Sequence, residues 1–299
     1  MGFDAQILLP KIIILMPILN ESPYLTLSIG SIQNQEFTNW ELIVQDNCST
    51  DNSVEIVRNI SKSDKRVVLL QNQSRLSVGL NWEKLASYVL ANKPSEFIVW
   101  IGGDDTWSNE QFLSKKVDFL TSNRDFHSVA PRLDFCLNGV LVSSSCPRAD
   151  SNLCLIRTFK FLTDKKNLGS LWALSRREVF ESIMREPSYK IDDYAGFDYF
   201  YTLGLFVKGK VALDSGSSYL KTQISFTGKN DSNLNLNLRE KFKIIMKYYV
   251  DLYWNRRVKI LSLPLWIALG VFTQGLSLSL KTLYKSILLR CKKELHGKS

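Results

Sequence analysis

Histidine is scarce in this chain of 299 residues, which holds only His127 and His296. That excludes a His-rich metal centre. The five cysteines, Cys48, Cys136, Cys146, Cys154 and Cys291, are odd in number and none stand in CxxC spacing. Neither a disulfide framework nor a zinc site is expected, and the thiols fit a reducing cytosol. The apolar stretch from Ile12 to Leu19 has no basic segment ahead of it and is cut off by Pro17, Asn20 and Glu21, so no secretory signal is expected. Gly2 lacks the Ser or Thr at position six that myristoylation needs. No internal repeat is visible.

What the sequence does hold is enough apolar material for a sizeable core, 45% hydrophobic against 22% charged. The length allows one large α/β domain with an appendage, or two small domains. The charge is lopsided, with 38 basic against 29 acidic residues and a net +9. Such a balance points to an anionic partner: nucleic acid, acidic lipid or a phosphorylated ligand. Many of the basic residues lie beyond Arg239, which favours a surface-binding tail over a general basic face. No nucleic-acid recognition motif accompanies the charge, so no nucleic-acid partner is expected.

The first half alternates regularly. Ile12 to Met16 is a run of branched apolar residues and reads as a buried parallel strand ended by Pro17 and Asn20. Ser22-Pro23 opens a helix to about Gln33. A second strand covers Trp40 to Val44, a polar loop Asp46 to Asp51, and a helix Ser53 to Ile60. Val67 to Leu70 is a third strand, Asn81 to Ala91 a helix, and Phe97 to Ile101 a fourth strand that runs into Gly102-Gly103-Asp104-Asp105. This is a doubly wound α/β pattern, in which ligands bind at the carboxyl ends of the strands. Three polar clusters stand at such ends: Pro17–Glu21, Asp46–Asp51 and Gly102–Asp105. Further on, the pattern predicts a helix over Gln111–Ser122, one or two strands over Val129–Val142, a short strand Leu171–Leu174 and a helix Arg176–Arg185. A helix Tyr199–Lys208 and a last strand Val211–Leu213 complete it.

Two carboxylates beside two glycines suit a hard divalent cation that also grips phosphate oxygens. A plain turn or helix cap is the alternative. Asp46 is placed to accept hydrogen bonds from a ribose or base, or to close an Asx turn. Trp172 reads as core or as the floor of an acceptor site, and Cys48 as an inert loop thiol.

Taken together, Pro17-x-x-Asn20-Glu21, Ser31-Ile32-x-x-Gln35, Glu41-Leu42-Ile43-Val44-x-Asp46-Asn47-x-Ser49-Thr50-Asp51, Gly79-x-Asn81-Trp82 and Asp104-Asp105 resemble the family 2 glycosyltransferases. The resemblance covers about residues 11–215. It implies a GT-A type doubly wound nucleotide-binding sheet over 1–229; the Asn- and Leu-rich stretch Asn230 to Asn237 sets a boundary before a helical, basic-amphipathic C-terminal region over 230–299. The resemblance also implies a nucleoside-diphosphate sugar donor. Pro17, Asn20 and Glu21 would border its pocket, Asp46 would contact the base, and Arg75 would lie near the base or diphosphate. Asp104 would hold Mg2+ or Mn2+, with Asp105 beside it. Gly102 stands where many relatives have the first acid of the motif. Gly196-Phe197-Asp198-Tyr199, with Leu203 and Gly209-Lys210-Val211, matches a second family segment. It implies that Asp198 is the catalytic base, with Asp192 and Asp193 as alternatives. An acid at a helix start is otherwise a cap. Relatives often carry a His after the last strand that helps bind metal or phosphate; here Lys221 or Gln223 stands in that region and would substitute for it.

The stretch from Ile260 to Leu280 is uncharged. Leu265, Leu269, Phe272, Leu276, Leu280, Leu283 and Ile287 follow helical steps, flanked by Lys and Arg. Such a tail is expected to lie in an anionic membrane surface, with packing on the domain and bilayer spanning as alternatives. The expected protein is thus an inverting transferase, peripheral at the inner face of the cell membrane, acting on a saccharide or lipid-linked acceptor. The rivals are a nucleotidyltransferase, which would show a Gly-rich, basic loop after the first strand, and a non-catalytic nucleotide-sugar-binding protein.

Overall fold

Strands β1 (Ile12–Ile18), β2 (Trp40–Asp46), β3 (Val67–Gln71) and β4 (Phe97–Trp100) run parallel in the order β3-β2-β1-β4. The computed structural model describes residues 9–137, 140–145, 150–153, 157, 170–185 and 194–223. Every residue of β1 is buried, as the middle of a parallel sheet covered on both faces requires. Each large aliphatic side chain so buried contributes about 1.5–3 kcal/mol. The crossovers are α1 (Leu25–Gln33), α2 (Ser53–Ser63) and α3 (Val78–Asn92). In α2, Ser53 and Val57 face inward while Glu55, Arg58 and Lys62 are exposed, the four-residue step of an amphipathic helix.

Beyond β4 the sheet becomes mixed. β8 (Leu174–Arg176) pairs antiparallel with β4 and with β6 (Phe126–Leu137). β9 (Lys210–Gln223) lies parallel to β6, and β5 (Asp105–Trp107) closes the path antiparallel to β9. β7 (Val140–Ser145) pairs with β6, off this path. Helices α4 (Phe112–Ser122), α5 (Arg177–Met184) and α6 (Tyr194–Lys208) complete the described elements. Behind β4, Trp100 packs against Trp82, Phe180, Phe197 and Tyr201 with ring centroids 4.7–6.3 Å apart. This aromatic core joins α3, α5 and α6 to the sheet.

Three expectations need correction. The strand expected at Leu171–Leu174 starts only at Leu174, after a short helical turn at 170–172; a short buried apolar run does not distinguish the two. The last strand is 14 residues long, not three. Its polar stretch from Asp214 to Ser218 reads as a turn, yet the strand continues across it. Pro131 pairs with Asp214 and Arg132 with Ser218, so residues 215–217 loop out as an irregularity within one ladder. α6 begins at Tyr194 rather than Tyr199, and β5 falls in a stretch to which the sequence assigned no element. The predicted tail, 230–299, the boundary before it, and Asp192 and Asp193 lie outside the described residues.

Candidate active site

β1 and β4 are neighbours, but the chain leaves β1 toward β2 and reaches β4 from β3. This is a topological switch point, where an open α/β sheet leaves a crevice at its carboxyl edge. A cavity of about 190 Å3 opens there, lined by Pro17, Ile18, Leu19, Glu21, Asn47, Val78, Asn81, Trp82, Gly102, Asp104, Asp105, Trp172 and Lys221. Four of the sequence-predicted residues, Pro17, Glu21, Asp104 and Asp105, are therefore brought together. Trp172 is both buried, at 3% exposure, and part of the cavity wall.

The two acids after β4 are unequal. Asp105 is fully buried and its Oδ2 accepts hydrogen bonds from Tyr219 Oη at 2.8 Å and Lys221 Nζ at 3.2 Å. Tyr219 Oη in turn accepts from the Gly102 amide at 2.8 Å. Burial pushes the Asp105 carboxyl up to about 6, against the pull of Lys221 and with Asp104 adding to the rise. Asp104 is half-buried and faces the cavity. A side chain at 102 would set its Cβ 2.7 Å from Asp105 Oδ2 and 2.9 Å from Asp104 Oδ1. A Cβ at 103 would collide with the Glu21 carboxylate. The glycines thus let the carboxylates crowd together. Glu21 itself has one carboxylate oxygen sealed from solvent and without a hydrogen-bond partner among the described residues. Burial, then the charges of Asp104 and Asp105, raise its carboxyl well above the usual range.

Asn20, Asp46, Arg75 and Asp198 are not among the lining residues. Asn20 takes a left-handed φ of 56°, which Asn tolerates better than most residues. Its amide donates to Ser49 Oγ at 2.9 Å and its Oδ1 accepts from the Thr50 amide at 2.8 Å. It therefore laces the β1–α1 loop to the β2–α2 loop. Asp51 does the same, accepting from the Ser22 and Ser53 amides. Asp46 is buried and accepts from the Ser49 amide, three residues on, at 3.2 Å, bracing the loop after β2. Arg75 is exposed between β3 and α3. Asp198 is buried, beyond the first turn of α6, so it is no helix cap. It follows Phe197, whose ring lies 4.8 Å from that of the cavity residue Trp82.

Asn72, Ser28 and Tyr219 were not singled out by the sequence, and they organise residues that were. Asn72 is the hub of a buried amide network: it donates to Asn47 Oδ1 and Asn81 Oδ1 and accepts from Gln45 and Lys84, all at 2.8–3.0 Å. Cys48, at a φ of 62°, donates its thiol to the Asn72 carbonyl at 3.3 Å. Ser28 and Ser31 hold the Gly102 carbonyl and the Trp107 amide, tying α1 to the acid segment. Trp172 stacks on Tyr219 at 4.5 Å. Tyr219 and Lys221 are two residues apart on one strand, so they share a face. Lys221 was named from the resemblance, but its pairing with Tyr219 is legible only once the strand is known to extend that far.

The donor set suits a cation held partly by its ligand. No group of three His, Cys, Asp or Glu residues able to hold a metal occurs among the described residues. Asp105 is already engaged, whereas Asp104 offers a hard oxygen to the cavity. One carboxylate plus phosphate oxygens and water is a usual environment for Mg2+.

Comparison with known proteins agrees with this geometry. Residues 13–183 match the model of Glycosyl transferase family 2. The chain is 30% identical over 197 residues to an uncharacterized glycosyltransferase of Haemophilus influenzae, covering 63% of this chain and 71% of that protein. It is 34% identical over 97 residues to the GalNAc(5)-diNAcBac-PP-undecaprenol beta-1,3-glucosyltransferase of Campylobacter jejuni, 32% of this chain and 30% of that one. Among solved structures, Staphylococcus aureus TarS 1-349 with UDP-GlcNAc superposes with a TM-score of 0.60 at 18% identity, covering 91% of this chain and 83% of the other. A Pyrobaculum calidifontis mannosyltransferase in complex with GDP-Man and Mn2+ gives 0.52 at 15% identity, over 97% and 88%. These two share the fold. A nucleotidyltransferase is thereby set aside, in line with the missing Gly-rich loop after β1. With a crevice at the switch point, an acid pair at the end of β4 and a family match over more than half its length, the chain belongs to the family 2 glycosyltransferases and has their GT-A fold.

Proposed function

We propose that the enzyme moves a sugar from a nucleoside-diphosphate donor to a hydroxyl of a lipid-linked saccharide acceptor, in assembly of a bacterial surface polysaccharide. The observation that carries this is the acid-walled cavity at the carboxyl ends of β1 and β4, bordered by Pro17, Glu21 and Asp104. The Haemophilus relative is a glycosyltransferase by name, and the name of the Campylobacter relative includes an undecaprenol-linked saccharide.

In this reading Asp104 would hold Mg2+ or Mn2+, which when bound offsets charge on the departing diphosphate. Asp46 would contact the base, and Arg75 would lie near the base or diphosphate. Asp198 takes the proton of the acceptor hydroxyl. The hydroxyl oxygen bonds to the anomeric carbon on the face opposite the leaving group as the bond to the diphosphate oxygen breaks. A single displacement of this kind inverts the anomeric centre. The C-terminal region, 230–299, would bring the enzyme to the inner membrane surface, where such an acceptor resides.

Turnover and donor binding measured on two variants test the assignment. D198N should keep donor affinity while kcat falls by roughly 10²–10⁴, the usual contribution of a positioned base. D104N should remove the part of the nucleoside-diphosphate affinity that depends on Mn2+. Undiminished kcat in the first, or an unchanged response to Mn2+ in the second, removes that residue from its role.

A further inference from the structure

Helix α1 turns an apolar face inward, yet polar side chains interrupt it. Leu25, Ile29 and Ile32 are fully buried, and so is Ser28 among them. Ser31 is half-buried, and Gln35, just past the end of the helix, is buried too. Positions 28, 31 and 35 follow three- and four-residue steps, so they share one side. A buried hydroxyl or amide costs free energy unless it is hydrogen-bonded. Each of these is bonded, and outside α1 the partners all lie in one stretch, 102–113. Ser28 Oγ donates to the Gly102 carbonyl at 3.2 Å. Ser31 Oγ donates to the Ser28 carbonyl at 2.7 Å and accepts from the Trp107 amide at 3.2 Å. Gln35 Nε2 donates to the Asn109 carbonyl at 2.8 Å, and its Oε1 accepts from the Leu113 amide, in the first turn of α4, at 3.0 Å.

β5 explains the need for these bonds. It ends the sheet path and, among the described residues, pairs with β9 only. The Trp107 amide is left for Ser31, so α1 serves as the second neighbour of an edge strand. Between the grips at Gly102 and Trp107 lies the turn at Gly103 and Asp104, whose carboxylate faces the cavity. From the other side Tyr219 Oη holds the Gly102 amide. We propose that Ser28 and Ser31 are positioning residues for Asp104: their hydroxyls fix the turn that carries its carboxylate, and so set how well that acid takes a divalent cation together with a diphosphate. This rests on the reading of Asp104 as the metal-holding residue. Groups that hold a metal ligand in place contribute roughly 10–100-fold to metal affinity, because a site must be kept close to its productive geometry.

The test must separate positioning from plain support of the fold. UDP and GDP are titrated by calorimetry into the full chain in Mn2+ and in EDTA, and whichever binds better is used. The ratio of its two affinities reads the cation alone, and D104N gives the lower limit of that ratio. S31A takes away the acceptor of the Trp107 amide. S28A is milder, because the Gly102 carbonyl keeps the Asp105 amide at 3.3 Å. In both, the ratio should fall about fivefold or more toward that of D104N, while affinity in EDTA stays within about twofold. S31T, which keeps the hydroxyl, should restore the ratio. V67A serves as the stability control: Val67 is buried at the amino end of β3, opposite the edge where the cavity opens. It should lower the melting temperature and leave the ratio unchanged. An unchanged ratio in a folded S28A or S31A, with only the melting temperature lowered, overturns the assignment for that residue. S28A alone decides the matter if S31A does not fold. If Mn2+ adds nothing to diphosphate affinity in the unchanged chain, Asp104 loses its role and the proposal falls with it, a result distinct from an intact Mn2+ response in the variants.

Discussion

At the residue scale, the acids of the site show how far side-chain identity reaches. Asp104 and Asp105 are adjacent and chemically identical in the sequence, and only the fold makes one a half-buried cavity group and the other a sealed partner of Tyr219 and Lys221. Glu21 was legible as a pocket residue from its motif, but not as an acid pressed against Gly103. The difference between the two aspartates has a pH signature. Asp105 is raised by burial from 3.8 to about 6 in the fold. An acid raised on folding favours the native state fully below its unfolded value, and that contribution is lost as pH rises through the folded value. Glu21, raised partly by Asp105, acts in the same sense. Replacing Asp105 by Asn removes the loss. Melting temperatures taken from pH 4 to pH 8 without divalent ions should therefore show D105N gaining on the unchanged chain between about pH 4 and 6, then holding level. A difference that stays flat, or runs the other way, means that Lys221 fully compensates the buried charge.

At the scale of elements, the parallel half was readable because its physics is local. Fully apolar β1, alternation with amphipathic helices and polar strand ends fixed β1 to β4 to within a few residues. The mixed half was not, because its strands owe their extent to partners distant in sequence. β9 carries Asp214-Ser215-Gly216-Ser217-Ser218 through its middle, and pairing with β6 on both sides of that stretch, and with β5 beyond it, keeps the chain extended. Asn72 illustrates the same point for a loop. Its residue type signals a turn, while its function comes from four side chains on β2, α3 and the loop after β2 that converge on it. Asn72→Leu would leave buried amides unpaired, each costing about 1–3 kcal/mol. Because Asn47 and Asn81 line the cavity, KM for the donor should rise several-fold while kcat changes less, alongside a lower melting temperature. A lowered melting temperature with KM unchanged would make the network purely structural.

At the scale of the whole molecule, the proposed lipid-linked acceptor would require a basic chain to meet a membrane surface. No helix among the described residues is long and apolar enough to cross one; the sequence of 230–299 offers a different means of attachment. Leu265, Leu269, Phe272, Leu276, Leu280, Leu283 and Ile287 recur at three- and four-residue steps. Arg256, Arg257, Lys259, Lys281, Lys285, Arg290, Lys292 and Lys293 flank them. An apolar stripe enters the acyl boundary while each nearby cation contributes about 1 kcal/mol against an anionic surface, screened by salt. Full-length protein should therefore co-sediment with anionic vesicles at low salt, release as salt is added, and bind neutral vesicles weakly. A chain ended before Arg256 should stay in the supernatant while retaining nucleoside-diphosphate binding, since the cavity is built from residues 17–221. Binding that resists both salt and alkaline extraction would mean a spanning segment instead. Equal recovery of both chains in the soluble fraction, with a lower melting temperature for the shortened one, would mean that the tail packs on the protein and that the enzyme finds its acceptor by another route.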